Sequence, residues 1–158
     1  MEKSNLLKGC CHCGNIQYSL KTKIQTQMFS ARVCSCTFCV KHGGRYISDP
    51  NGEMTVCIRD RSRTIAYEFG TKTAKFIICS QCGTMPVIVG KMGSRYRGVI
   101  NCNTLDETYR LKTEAQAMDF SSEDLQTRLK RRERSWIGKV EGVSYFFRED
   151  EVFCCESR

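Results

Sequence analysis

The stretch Lys75-Phe76-Ile77-Ile78-Cys79-Ser80-Gln81-Cys82-Gly83 decides how the rest of this chain is read, because an apolar run passes directly into a Cys-x-x-Cys-Gly turn. Two residues between the cysteines let the backbone wrap one ion, and the glycine after them can adopt the angles that turn amides toward sulfur. Half of a tetrahedral zinc site is present, so a second pair of thiolates is required. Cys11-His12-Cys13-Gly14 is the natural candidate, since a strand pairing that joins the two turns would complete a Cys₄ site. A third cluster, Cys34-Ser35-Cys36-Thr37-Phe38-Cys39, offers three thiolates from one loop. Four sulfurs close a tetrahedral site and three leave a position open, so the expectation is two zinc ions, one structural and one available for chemistry. The rival reading of the third cluster is closure by Cys102, Cys10, Cys57 or His42. Cys102 leads among these because its strand follows the Cys79 turn.

Working outward, Ile16, Tyr18 and Leu20 share one face of an alternating segment, and Met54, Val56 and Ile58 repeat the period of two. Met85, Val87 and Val89 alternate after the Cys82 turn, and Arg97 to Cys102 reads as a further strand. Gly43-Gly44, Gly70, Gly90, Gly93 and Pro50-Asn51-Gly52 punctuate these segments. Short strands with frequent turns predict a mainly β fold in one domain over residues 1–148. One helix is predicted at about 121–135, where Ser121-Ser122-Glu123-Asp124 has capping-box character and Leu125 and Leu129 follow on one face. Val143, Tyr145 and Phe147 predict a last strand, and residues 149–158 read as a charged tail. The end, Cys155-Glu156-Ser157-Arg158, does not fit a prenylation box.

Composition narrows the chemistry. The start, Met1-Glu2-Lys3-Ser4-Asn5, lacks the apolar core of a signal peptide, and no apolar run reaches the length of a membrane span, so the expectation is a cytoplasmic protein without a membrane partner. Thiols in a reducing compartment stay reduced unless a metal or a reaction claims them, so the twelve cysteines are not read as six disulfides. The formal charge of +8 falls to about +5 once two zinc–thiolate sites are counted, which weakens any general case for nucleic acid. Lys130-Arg131-Arg132-Glu133-Arg134 is a basic run without the interleaved aromatics that stack on bases.

In order along the chain stand Gly9-Cys10-Cys11-His12-Cys13-Gly14-Asn15-Ile16, Cys34-Ser35-Cys36-Thr37-Phe38-Cys39, Tyr67-Glu68-Phe69-Gly70-Thr71, Phe76-Ile77-Ile78-Cys79-Ser80-Gln81-Cys82-Gly83-Thr84 and Leu105-Asp106. Over residues 9–106 this series resembles the glutathione-dependent formaldehyde-activating enzyme family, which includes the domain of centromere protein V. The segment 125–132 before Trp136 is similar to the arginine-rich closing segment of bacterial members. The resemblance implies a β-rich, tent-like fold of the Mss4-like type. It further implies a structural zinc on Cys11, Cys13, Cys79 and Cys82 and a reactive zinc on Cys34, Cys36 and Cys39. Thr104 departs from the pattern, standing where many members carry a cysteine.

The activity so implied is carbon–sulfur lyase chemistry, the making or breaking of a bond between a thiol such as glutathione and a small aldehyde such as formaldehyde. A basic rim from Lys41, Arg45 or Lys75 would suit glutathione's negative charge. The rival is a non-catalytic, zinc-stapled module that binds protein or nucleic acid.

Overall fold

The computed structural model describes residues 4–109, 111 and 114–148; the charged tail, with Cys154 and Cys155, lies outside the described residues. The fold is mainly β. Among the described residues eleven strands run in chain order: β1 Asn5–Cys10, β2 Ile16–Thr22, β3 Arg32–Cys34, β4 Tyr46–Ile47, β5 Glu53–Ile58, β6 Thr64–Tyr67, β7 Lys75–Cys79, β8 Val87–Met92, β9 Arg95–Asn101, β10 Gln116–Met118 and β11 Lys139–Glu141. They form a four-stranded sheet ordered β1-β2-β5-β11 and a seven-stranded sheet ordered β10-β3-β4-β9-β8-β7-β6. Among the described residues two α-helices accompany them, α1 Thr37–His42 and α2 Leu125–Ser135.

Alternation explains the smaller sheet. Ile16, Tyr18 and Leu20 on β2 and Met54 and Val56 on β5 are buried, and the register sets Tyr18 opposite Val56 and Leu20 opposite Met54. Burying one face of an antiparallel pair fixes its register, because a one-residue slip would expose the whole apolar set. These side chains meet Ile77, Val87, Val89 and Ile100 of the larger sheet in one core.

The larger sheet is covered on both faces, so its central strand does not alternate. Val87 to Gly90 are buried without a break: Val87 and Val89 face the smaller sheet, while Ile88 joins Tyr46, Phe76, Val99 and Trp136 in a second core. Met85 precedes β8 and belongs to that second core, not to the face of Val87 and Val89. Gly98 leaves room for β8 and for the Met54 side chain, and its carbonyl holds the segment after α2. A Cβ there would lie 2.7 Å from the Ile88 carbonyl oxygen, and the Ile137 amide donates to the Gly98 carbonyl at 2.8 Å. The chain leaving α2 is thereby pinned across β9, which sets Trp136 over the second core.

Three local expectations need correction. The α2 cap is Asp124, whose carboxylate accepts from the Thr127 amide at 2.7 Å, not Ser121 or Ser122. Asp and Ser are comparable caps, and here the residue directly before Leu125 takes the position. Leu125 is exposed, and the inward face of α2 carries Arg128, Leu129, Arg131 and Arg132. Ser144–Phe147 forms a 3-10 turn rather than a strand, with Tyr145 beneath the Arg61 guanidinium and Phe147 against Tyr96.

Candidate metal centres and the pocket beside one of them

The first cluster is built by two matching turns. Cys11 follows β1 and Cys79 ends β7, and both are fully buried. In each turn the glycine after the second cysteine has a left-handed backbone, Gly14 at φ 78° and Gly83 at φ 75°. The Gly14 amide donates to the Cys11 carbonyl at 2.9 Å, and the Gly83 amide donates to that of Cys79 at 2.8 Å. The Sγ atoms of Cys11, Cys13, Cys79 and Cys82 all lie within 4.8 Å of one another, with Cys11–Cys13 at 3.7 Å and Cys13–Cys79 at 3.5 Å. A tetrahedron with zinc–sulfur bonds of about 2.3 Å has edges of about 3.8 Å, so the four thiols fit a zinc ion. The Ile16 amide, 3.2 Å from the Cys11 sulfur, is placed to stabilise a thiolate.

Thiol acidity is already divided within this cluster. Burial pushes Cys11 up to about 12. Burial also opposes ionisation of Cys82, yet hydrogen bonds from the Thr84 hydroxyl and the Cys13 and Thr84 amides bring it down to about 5.

The second cluster sits at the end of β3 and the start of α1. Cys36 caps α1, its sulfur accepting from the Cys39 amide at 3.4 Å, and the Cys36 amide approaches the Cys34 sulfur at 3.5 Å. Gly43, at φ 72°, ends the helix. The three Sγ atoms again lie within 4.8 Å of one another. The Cys39 thiol holds Cys34 down to about 5, and Cys39 is pushed up in return. The buried Tyr46 hydroxyl donates to the Cys39 sulfur at 3.2 Å.

The proposed fourth ligands do not join the group among the described residues. Cys102 is buried in the core between the sheets, whereas Cys39 lies in the second core. His42 stacks on Phe38. Cys57 is exposed, and Cys10 has its thiol pKa raised by burial and by Asp106, with smaller contributions from Cys13 and Cys82 of the other cluster.

The two clusters differ in surroundings. Cys34, Cys36 and Cys39 line a cavity of about 220 Å³ whose walls include Tyr46, Phe69, Phe76 and Trp136. Lys41, Arg45 and Lys75, the residues proposed for a basic rim, are not among its lining residues; Lys75 instead pairs with Glu68 at 3.2 Å. The charge comes from Arg32, Arg128, Arg131 and Arg132. Arg131 is committed to Glu123, at 2.9 and 3.0 Å to its two oxygens, and stacks on Phe120. Arg132 is 8% exposed, stacks on Trp136 and donates to the Thr73 hydroxyl at 2.8 Å. Burial, reinforced by Arg131 and Arg128, lowers Arg132 to about 10, so it remains charged at neutral pH. In the sequence, Arg131 and Arg132 stand out only as part of the basic run Lys130–Arg134. The overlooked signal is the spacing Arg128, Arg132, Trp136, every fourth residue on one side of the α2 segment.

No family model matches the chain, and no curated protein does. A solved structure is similar: the crystal structure of a Rhodobacter sphaeroides protein from structural genomics, 23% identical, covering 70% of this chain and 99% of its own, with a TM-score of 0.50. That likeness is one of fold. Among the described residues no helix is long and apolar enough to cross a membrane.

Proposed function

We propose that the chain is a zinc-dependent enzyme of the formaldehyde-activating type, making or breaking a carbon–sulfur bond between a thiol and a small aldehyde. The observation that carries this reading is the contrast between the clusters: four cysteines close one site, while three others face a cavity. Cys34, Cys36 and Cys39 would hold the metal, which would supply an open position for keeping a thiol as thiolate near neutral pH. The chain's own residues prepare that position. Tyr46 fixes Cys39 and withdraws charge from its sulfur, and the aromatic walls limit access of water. In the forward direction the thiol gives its proton to water, its sulfur bonds to the aldehyde carbon, the C=O π pair moves to oxygen, and that proton returns through water to the oxygen to give the S-hydroxyalkyl product. The reverse path breaks the same bond.

Against the binding-module reading, Arg131 and Arg132 of the basic run line the cavity, while Lys130 and Arg134 are exposed. Exchange NMR with ¹³C-formaldehyde and glutathione tests the enzyme reading. The expected result is faster interconversion of free and thiol-bound formaldehyde with the zinc-loaded protein, lost in Cys36→Ser. A rate equal to that of buffer, for glutathione and for smaller thiols alike, would contradict it.

A further inference from the structure

The arginines in the cavity have bonding capacity that the protein leaves unused. Arg128 and Arg132 each carry a buried Nε with no hydrogen-bond partner. Arg128 donates elsewhere, to the Phe120 carbonyl at 3.2 Å, and Arg132 uses one terminal nitrogen on Thr73. Leaving a buried donor of a charged group unpaired costs more than a hydrogen bond returns, and Arg132 sits beside two other guanidinium groups. The carboxylate on the cavity wall, Asp119, is exposed and accepts from the Ser121 amide at 2.9 Å. Apart from Arg32, Arg131 and two serines, the remaining lining beyond the cysteines is apolar or aromatic.

Resting on the thiol reading above, we propose that Arg128 and Arg132 form an anion subsite in the same cavity as Cys34, Cys36 and Cys39. The preferred substrate is then a compact thiol bearing a carboxylate on a short apolar body. Its carboxylate pairs with the Arg128 and Arg132 guanidinium groups on the cavity wall while its sulfur reaches the metal position, and the thiol proton leaves to solvent. The subsite also answers a charge problem. Zinc with three thiolates is at −1 and a fourth thiolate makes −2, which two guanidinium groups offset. Glutathione shares the thiol and carboxylate chemistry, but its amides and ammonium group would lie against Phe69, Phe76 and Trp136.

Calorimetry on the zinc-loaded protein compares 3-mercaptopropionate, 3-mercaptopropanamide, propionate and glutathione. The amide matches the acid in shape and thiol but lacks the charge. The acid is expected to bind about tenfold more tightly than its amide, the size of one charge-assisted hydrogen bond, and more tightly than glutathione. The preference should vanish in Arg132→Met while amide binding persists. Arg128→Met gives the same reading should Arg132→Met fail to fold. Equal affinity for acid and amide, or a preference retained in both variants, overturns the anion subsite and leaves the thiol reading standing. Tighter glutathione binding overturns the compact substrate. Propionate binding as tightly as the mercapto acid, and lost in the arginine variants, overturns the thiol reading and keeps the subsite.

Discussion

Cys79→Ser separates a metal that holds the fold from one that serves chemistry. Cys79 is fully buried where β7 ends, and β7 is flanked by β6 and β8, so the turn it anchors ties the larger sheet to the turn after β1. A ligand present at a thousandfold its dissociation constant stabilises a fold by about 4 kcal/mol. A domain of this size moves by about 2–4 °C in Tm per kcal/mol, so losing that contribution lowers Tm by about 8–16 °C. Cys36→Ser should behave differently. Serine is a good helix cap, so it can replace the Cys36 sulfur that accepts from the Cys39 amide. That variant is expected to lose one zinc and little stability. Scanning calorimetry with metal analysis on both variants is the assay. A Cys79→Ser protein that melts with wild type and keeps both metals would refute the reasoning, as would global unfolding of Cys36→Ser.

Tyr46→Phe removes the hydroxyl that donates to Cys39 and should weaken metal binding at the three-cysteine site about 10–100-fold, read by competition with a chromophoric chelator; unchanged affinity would show that the contact does not tune the site. Gly98→Ala places a methyl group 2.7 Å from the Ile88 carbonyl oxygen and 3.2 Å from the Met54 methyl, and should cost about 1–3 kcal/mol. Urea denaturation within a few tenths of wild type would mean that β8 and Met54 make room for the methyl group. Chelation of the zinc-loaded protein should lower Tm by at least the same amount as Cys79→Ser, about 8–16 °C, since it removes the same ion; a chelator-insensitive melt would mean that the metal does not stabilise the fold.

How much of this was legible depends on segment length and on which side chains carry the pattern. β2 and β5 show clean alternation because one face is buried, and the run into Cys79 marks β7 directly. β3, β4 and β10 have two or three residues each, too few to show a period, and α1 has six residues inside a cysteine cluster. Val143, Tyr145 and Phe147 do alternate, but Val143 is buried in the core while Tyr145 packs beneath Arg61, a division that a 3-10 turn also produces. The cysteine groupings follow from turn chemistry, which is local. The arginine lining does not, because a buried guanidinium and a solvated one look alike until the helix is docked.

The central claim is that one zinc is closed by four cysteines and another is held by three beside the cavity. Anomalous diffraction at the zinc edge from crystals of the metal-loaded protein tests it directly. The account predicts two peaks, one among the sulfurs of Cys11, Cys13, Cys79 and Cys82 and one on Cys34, Cys36 and Cys39 with a non-protein fourth ligand facing the cavity. A single peak, or a second zinc closed by a protein side chain, would contradict it.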